Sequence, residues 1–244
     1  MSREFELRKE VALDASPEQV WEAIATGPGL TSWFMTHEVE PGVGGVVRLK
    51  VGDFVGESRI TAWDPPHRLE VVGGTDDEPH AFEYLVEARD GGSAVLRFVQ
   101  TGFLGDNWET EYEAMNAGWG HYFHTLDQYL RYFFGRPVTF VAADGPQESA
   151  PAEAWPRLLD ALGLDHRPVV GEQVRLTGPE PLDGVVDYVL DSFLGVRTAD
   201  GLYRFHGRAL LGMPVAVGHH VFLPDVDGEK ENERWRTWME GAFA

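Results

Sequence analysis

His121 and His124 stand three residues apart in the stretch GHYFHTL. On a helix that spacing can place two imidazoles on one face, as a metal site requires. They flank the Trp119/Tyr122/Leu126 stripe rather than join it, and no acidic ligand follows at a fixed offset. Solvent-facing or half-buried histidines without a metal are the expectation. His219 and His220 are adjacent in a strand-like run, so they point to opposite faces. One is expected to be buried and the other exposed, and the two are not expected to share a metal.

His80 and Gln100 pose a different question. Each is the polar member of an otherwise apolar strand face: His80 with Phe82 and Tyr84, Gln100 with Leu96 and Phe98. A buried polar group needs a partner. It either bonds within the core or faces a cavity, where it can orient a ligand. The first reading carries somewhat more weight, because strand ends are often simply wet. Catalytic signatures are missing: there is no G-x-S-x-G, no Walker loop and no HExxH. GVGG, from Gly42 to Gly45, precedes a strand and reads as a turn rather than a phosphate loop. Glu109, Glu111 and Glu113 open a helix, where carboxylates complement the dipole. No catalytic residue, metal or cofactor is expected.

The elements that must hold these residues follow from periodicity. Phe5, Leu7, Val11 and Leu13 recur mostly at period two and give a first strand. Ser16 caps a short helix with Pro17 in its first turn, Val20, Trp21, Ile24 and Ala25 as its apolar stripe, and Gly27-Pro28-Gly29 as its end. Leu30, Trp33 and Phe34 suggest a second short helix. Period two returns from Gly42, with Asp64-Pro65-Pro66 and Asp90 to Ser93 as turns between strands. From about Asp106 to Phe134 the period becomes three to four, through Trp108, Tyr112, Met115, Trp119, Tyr122, Leu126 and Phe133. So long and aromatic a helix must lie on the sheet before it.

Composition narrows the partners. The chain has 244 residues, 20 basic against 40 acidic, for a formal charge of -20. Such a surface repels phosphate backbones and anionic lipid, so neither nucleic acid nor membrane is expected as a partner. There is no Cys, which excludes disulfides and thiolate chemistry. The opening MSREFELRKEV has no apolar signal core, and no window approaches 18 apolar residues. A cytoplasmic protein is the expectation.

A later stretch repeats the outline of the first helix. Pro17, Trp21 and Gly29-Leu30 match Pro151, Trp155 and Gly163-Leu164 at equal intervals, and GEQVRL echoes GGVVRL. The expected organisation is a domain over residues 1–140, a polar linker over 141–153, and a smaller α+β domain over 154–244. That last part reads as a shortened second copy with a helix, about four strands and a terminal helix. An unrelated extension covering a sheet edge is the alternative.

The pieces SPEQVWEAI, GLTSWF, PGVGG, WDPPHRL, GGSAVLRFVQTGF and GWGHYFHTLDQYL together resemble the START-like (Bet v 1-like, helix-grip) superfamily. Within it they are most similar to the family homologous to the C-terminal domain of the activator of Hsp90 ATPase. The resemblance covers residues 1 to about 135. It implies an α+β fold with an antiparallel sheet wrapped around a long C-terminal helix, and a space between them open to a small apolar molecule. The expected site residues are Trp33, His80, Phe82, Tyr84, Phe98, Gln100, Met115, Trp119 and Tyr122. The expected function is non-catalytic binding of a small hydrophobic or aromatic molecule. An Hsp90-type chaperone cofactor, with a chaperone or another protein as partner, is the alternative. A polyketide cyclase/aromatase-like enzyme is the second alternative, and a homodimer stays open.

Overall fold

The structure is a computed structural model that describes residues 2–52, 54–75 and 77–244. The chain divides into two compact units, Met1–Gly135 and Arg136–Ala244.

The first unit begins with β1 (Arg3–Leu13), then α1 (Pro17–Ala25) and α2 (Gly27–Thr31). The Ser16 hydroxyl accepts from the Gln19 N–H while the Gln19 side chain accepts from the Ser16 N–H, so a capping box starts α1. The expected break at Gly27-Pro28-Gly29 is instead the first turn of α2. Thr26 ends α1 and caps α2, its hydroxyl accepting from the Gly29 N–H at 2.9 Å. Pro28 fits there because the first N–H groups of a helix lack intrahelical partners. Gly29 is required by contact: a Cβ on it would lie 2.1 Å from the Glu22 carbonyl oxygen. The two helices therefore turn sharply on each other.

Six more strands follow: β2 (Thr36–Val39), β3 (Val46–Val51), β4 (Phe54–Asp64), β5 (Arg68–Gly74), β6 (Pro79–Ala88) and β7 (Ala94–Leu104). They form one antiparallel sheet in the order β1-β7-β6-β5-β4-β3-β2. Register pairs Gly73 with His80, Val71 with Phe82, Leu69 with Tyr84, Phe82 with Gln100 and Tyr84 with Phe98. The apolar members of each strand thus share one face. The long helix α3 (Trp108–Tyr132) follows the sheet. Its buried residues begin at Trp119, so the first three turns are only half covered. Arg3 over the Trp108 ring and Phe5 against Tyr112 tie that end to β1. The unit is α+β and helix-grip.

The second unit contains β8 (Thr139–Asp144), α4 (Ala154–Ala161), β9 (Gln173–Leu176), β10 (Leu182–Leu190), β11 (Phe193–Arg197), β12 (Gly201–His206), β13 (Ala216–Val221) and α5 (Gly228–Phe243). Its sheet runs β8-β13-β12-β11-β10-β9. As in the first unit, the opening strand pairs with the last, and the rest follow as a meander. The expected linker over 141–153 differs: its first part belongs to β8, paired from Ala216–Asp144 to Val221–Thr139. Five strands, β9 to β13, stand within 154–244 where about four were expected, and β8 adds a sixth to their sheet. β8 is short, and only its distant partner β13 makes it a strand.

The residue matches behind the repeat do not share local structure. Pro17 and Trp21 lie within α1, whereas Pro151 precedes α4 and Trp155 is its second residue. Gly29 is inside α2, whereas Gly163 ends α4 with φ +85°. There the Leu164 N–H donates to the Leu159 carbonyl and the Gly163 N–H to the Asp160 carbonyl, a Schellman stop.

His219 and His220 are both buried, not one in and one out. β13 is central, between β8 and β12. His219 packs its ring 4.4 Å from Trp235 of α5, and His220 lies 5.1 Å from Phe140 of β8. A buried ion pair also sits in this unit: Arg204 donates from both terminal nitrogens to Asp187, at 2.8 Å each. His121 is likewise fully buried rather than half exposed.

Candidate functional site

The curved sheet of the first unit leaves a cavity of about 290 Å³. That is near the lower bound of about 300 Å³ for ligand sites. Its walls come from four regions. Phe82, Tyr84 and His80 project from β6, and Leu69 and Val71 from β5. Val47 and Leu49 of β3 and Ser58 of β4 continue that face. Ile24, Leu30, Phe34 and His37 close it from α1, α2 and the chain beyond. Trp119 is the contribution of α3. Phe54, 63% exposed, stands at the rim.

Aromatic packing fixes the helix side. The Trp119 ring lies 4.2 Å from Phe98 and 5.3 Å from Phe34, centroid to centroid. Tyr122 meets the Phe34 ring edge-on at 4.4 Å. Such pairs add about 0.5–1.5 kcal/mol each beyond their buried area. The Trp119 indole N–H donates to Gln100 Oε1 at 2.5 Å.

The polar groups on the wall are few. His80 packs across Gly73, where a Cβ would lie 2.6 Å from His80 Nε2 and 2.4 Å from Ser58 Oγ. His80 Nε2 and Ser58 Oγ are 3.5 Å apart. His37 donates from Nδ1 to the Met35 carbonyl at 2.8 Å, which fixes its tautomer in the neutral state. Burial lowers the pKa of both His37 and His80, so neither carries charge at neutral pH. Tyr84 is 5% exposed, and burial raises its pKa. Glu57 reaches the rim, but its carboxylate is held by Arg48 Nε at 2.7 Å. No Lys or Arg is among the described lining residues.

Of the nine expected site residues, His80, Phe82, Tyr84 and Trp119 line the cavity. The other five do not. Gln100 is occupied by Trp119, so its amide serves the core. Trp33 is fully buried behind the wall, donating from Nε1 to the Ala23 carbonyl at 2.9 Å and stacking on Phe123. Phe98 backs Trp119, and Tyr122 backs Phe34. Met115 is half-buried on the less covered half of α3. Sequence reasoning missed Phe34, His37, Ser58 and the β3 pair Val47 and Leu49. The alternation of Val47, Leu49 and Val51 was a usable signal. Nothing local marks which of Trp33 and Phe34 faces inward.

The described residues contain no group of three or more His, Asp or Glu side chains placed to hold a metal. No described helix is long and apolar enough to cross a membrane.

Sheet, long helix and intervening cavity define a helix-grip domain with a mostly apolar interior. Residues 14–131 match the family model described as Activator of Hsp90 ATPase homolog 1-like protein. No curated protein matches the chain. Several solved structures are similar to about half of the chain. A protein from Bacillus halodurans is 25% identical, with 53% of this chain and 99% of that one covered and a TM-score of 0.47. A conserved protein of unknown function from Enterococcus faecalis is 24% identical, with 52% and 71% covered and a TM-score of 0.44. The Aha1 dimer from Colwellia psychrerythraea is 16% identical, with 52% and 96% covered and a TM-score of 0.43.

Proposed function

We propose that the first unit binds a small hydrophobic or aromatic molecule in the cavity between sheet and helix, without chemistry. The observation that carries this reading is a mostly apolar space walled by Phe34, Phe82, Tyr84 and Trp119, with few polar groups. Ligand sites are typically apolar with a few orienting polar groups. His80 and Ser58 would orient the guest; no third group aligned on them supports a nucleophilic pair, which leaves a cyclase-like enzyme without an assigned acid or base. The test is a thermal-shift and tryptophan-quenching panel of apolar and aromatic compounds, repeated on Leu49→Trp, which fills the cavity. Binding in the native protein that disappears in Leu49→Trp is the expected result. No binding by any compound ends the reading.

A chaperone-cofactor role is the second reading. It is favoured by the family's description and by exposed Val51, Phe54 and Val55 around the β3–β4 turn, an apolar surface suited to a protein partner. Val51→Ser with Val55→Ser, neither of which lines the cavity, would abolish partner binding on this reading and leave buried-ligand affinity little changed.

The second unit reads as a shortened copy of the same fold. Its support is the shared strand order, with one strand fewer. An experimental structure in which β8 does not pair with β13 would end this reading.

A further inference from the structure

The cavity wall combines two features that together select a ligand's polarity. The first is the absence of a countercharge. Among the described lining residues there is no Lys or Arg, and burial keeps His37 and His80 neutral. An anionic ligand would lose its hydration and gain no opposite charge, which is costly. The second is a pair of hydrogen-bonding groups on the wall. Tyr84 is 5% exposed and lines the cavity, where its hydroxyl is available as a donor and acceptor to a guest. His37 spends Nδ1 on the Met35 carbonyl, which leaves the Nε2 lone pair as an acceptor.

We propose that the cavity selects an uncharged aromatic ligand of the phenol class, its oxygen accepting from the Tyr84 hydroxyl or its O–H donating to His37 Nε2, and discriminates against carboxylates of the same size. This rests on the ligand-binding reading above and deepens it. Phe34, stacked on both His37 and Trp119, and Phe82, edge-on to Trp119, supply aromatic surface for the ring. A site built to hydrogen-bond a hydroxyl rejects the analogue that lacks it, because its own polar groups are then left unpaired.

The test compares naphthalene, 2-naphthol and 2-naphthoate by quenching of tryptophan fluorescence in the full chain, native and with Tyr84→Phe or His37→Gln. Tyr84→Phe removes one oxygen and keeps the ring, and near-ultraviolet circular dichroism checks that each variant is folded. The expected result is 2-naphthol bound about tenfold more tightly than naphthalene, with 2-naphthoate weaker than both. At least one variant should lose the 2-naphthol preference while holding naphthalene as before. Naphthalene and 2-naphthol binding equally to the native protein, 2-naphthoate matching 2-naphthol, or both variants keeping the full preference would each overturn the inference and leave the cavity reading standing. Failure of all three compounds to bind would remove both.

Discussion

The indole N–H of Trp119 donates to Gln100 Oε1 at 2.5 Å, joining the long helix to strand β7 at the edge of the cavity. Trp119 is only 6% exposed, so its N–H has little access to water. Gln100→Leu leaves that donor unpaired and should cost about 1–3 kcal/mol, the usual penalty for an unsatisfied buried group. Gln100→Glu retains an acceptor and should recover part of the loss. Denaturant midpoints of the three proteins check this; equal midpoints for Gln100→Leu and native would mean the bond does not hold the ring.

Trp119→Ala removes the helix side of the cavity as well as the packing on Phe98, Phe123 and Phe34. The expected loss is about 3–5 kcal/mol, as for large aromatics cut from cores. Thermal unfolding measures it, and an unchanged midpoint would contradict the placement of α3.

Gly73→Ala tests how the polar end of the cavity is arranged. The new Cβ would meet Ser58 Oγ at 2.4 Å and His80 Nε2 at 2.6 Å, so both side chains must move. If His80 and Ser58 orient the guest, affinity for an oxygen-bearing aromatic should drop about tenfold, equivalent to about 1.4 kcal/mol. Titration by tryptophan quenching decides; unchanged affinity would separate these two residues from binding.

His219 makes the second unit sensitive to acid. Its Nδ1 accepts from the Arg204 backbone N–H at 3.0 Å, so the proton of the neutral ring sits on Nε2. Burial lowers its pKa far below the ordinary value, and neighbouring His206, His220 and Arg204 add to the effect. The unfolded chain keeps a histidine pKa of about 6.5. It therefore binds more protons than the folded chain below that pH, and stability is full above about 6.5 and falls as pH falls. From pH 7.5 to pH 5 the loss from this histidine alone has an upper limit of about 2 kcal/mol, reached when the folded ring takes up no proton. His206 shifts in the same sense, to about 3. Urea unfolding at the two pH values measures the loss. His219→Gln keeps an acceptor for Arg204 and should flatten the profile; an identical profile in that variant would remove His219 from the account.

Asp187→Ala should be among the most damaging single changes in the second unit. It strips a two-pronged carboxylate from Arg204, whose side chain is 1% exposed. Breaking a buried pair from one side costs about 3–5 kcal/mol. Asp187→Asn keeps the shape and one acceptor and should cost less. Chemical denaturation ranks the two, and a loss below 1 kcal/mol for alanine, typical of exposed pairs, would show that the pair is not desolvated.

Much of the first unit was legible in one dimension. The capping box at Ser16, the turns at Pro65-Pro66 and Asp90–Gly92, and the switch to helical spacing before Trp108 are local events. They depend on residues within a few positions of one another, so a linear reading finds them. The shared face of His80, Phe82 and Tyr84 followed from strand alternation for the same reason. What the linear order could not decide is which neighbours each face meets. Gln100 and His80 looked alike as polar members of apolar faces, yet one is bonded to Trp119 and the other lines the cavity. His219 and His220 alternate as expected, but a central strand can have both faces covered. Thr139–Asp144 became a strand because β13, more than seventy positions along, supplies its hydrogen bonds. Backbone preference and periodicity are short-range, and the sequence carries them by itself. Burial and the pairing of polar groups depend on residues distant along the chain, and only the tertiary structure brings those together.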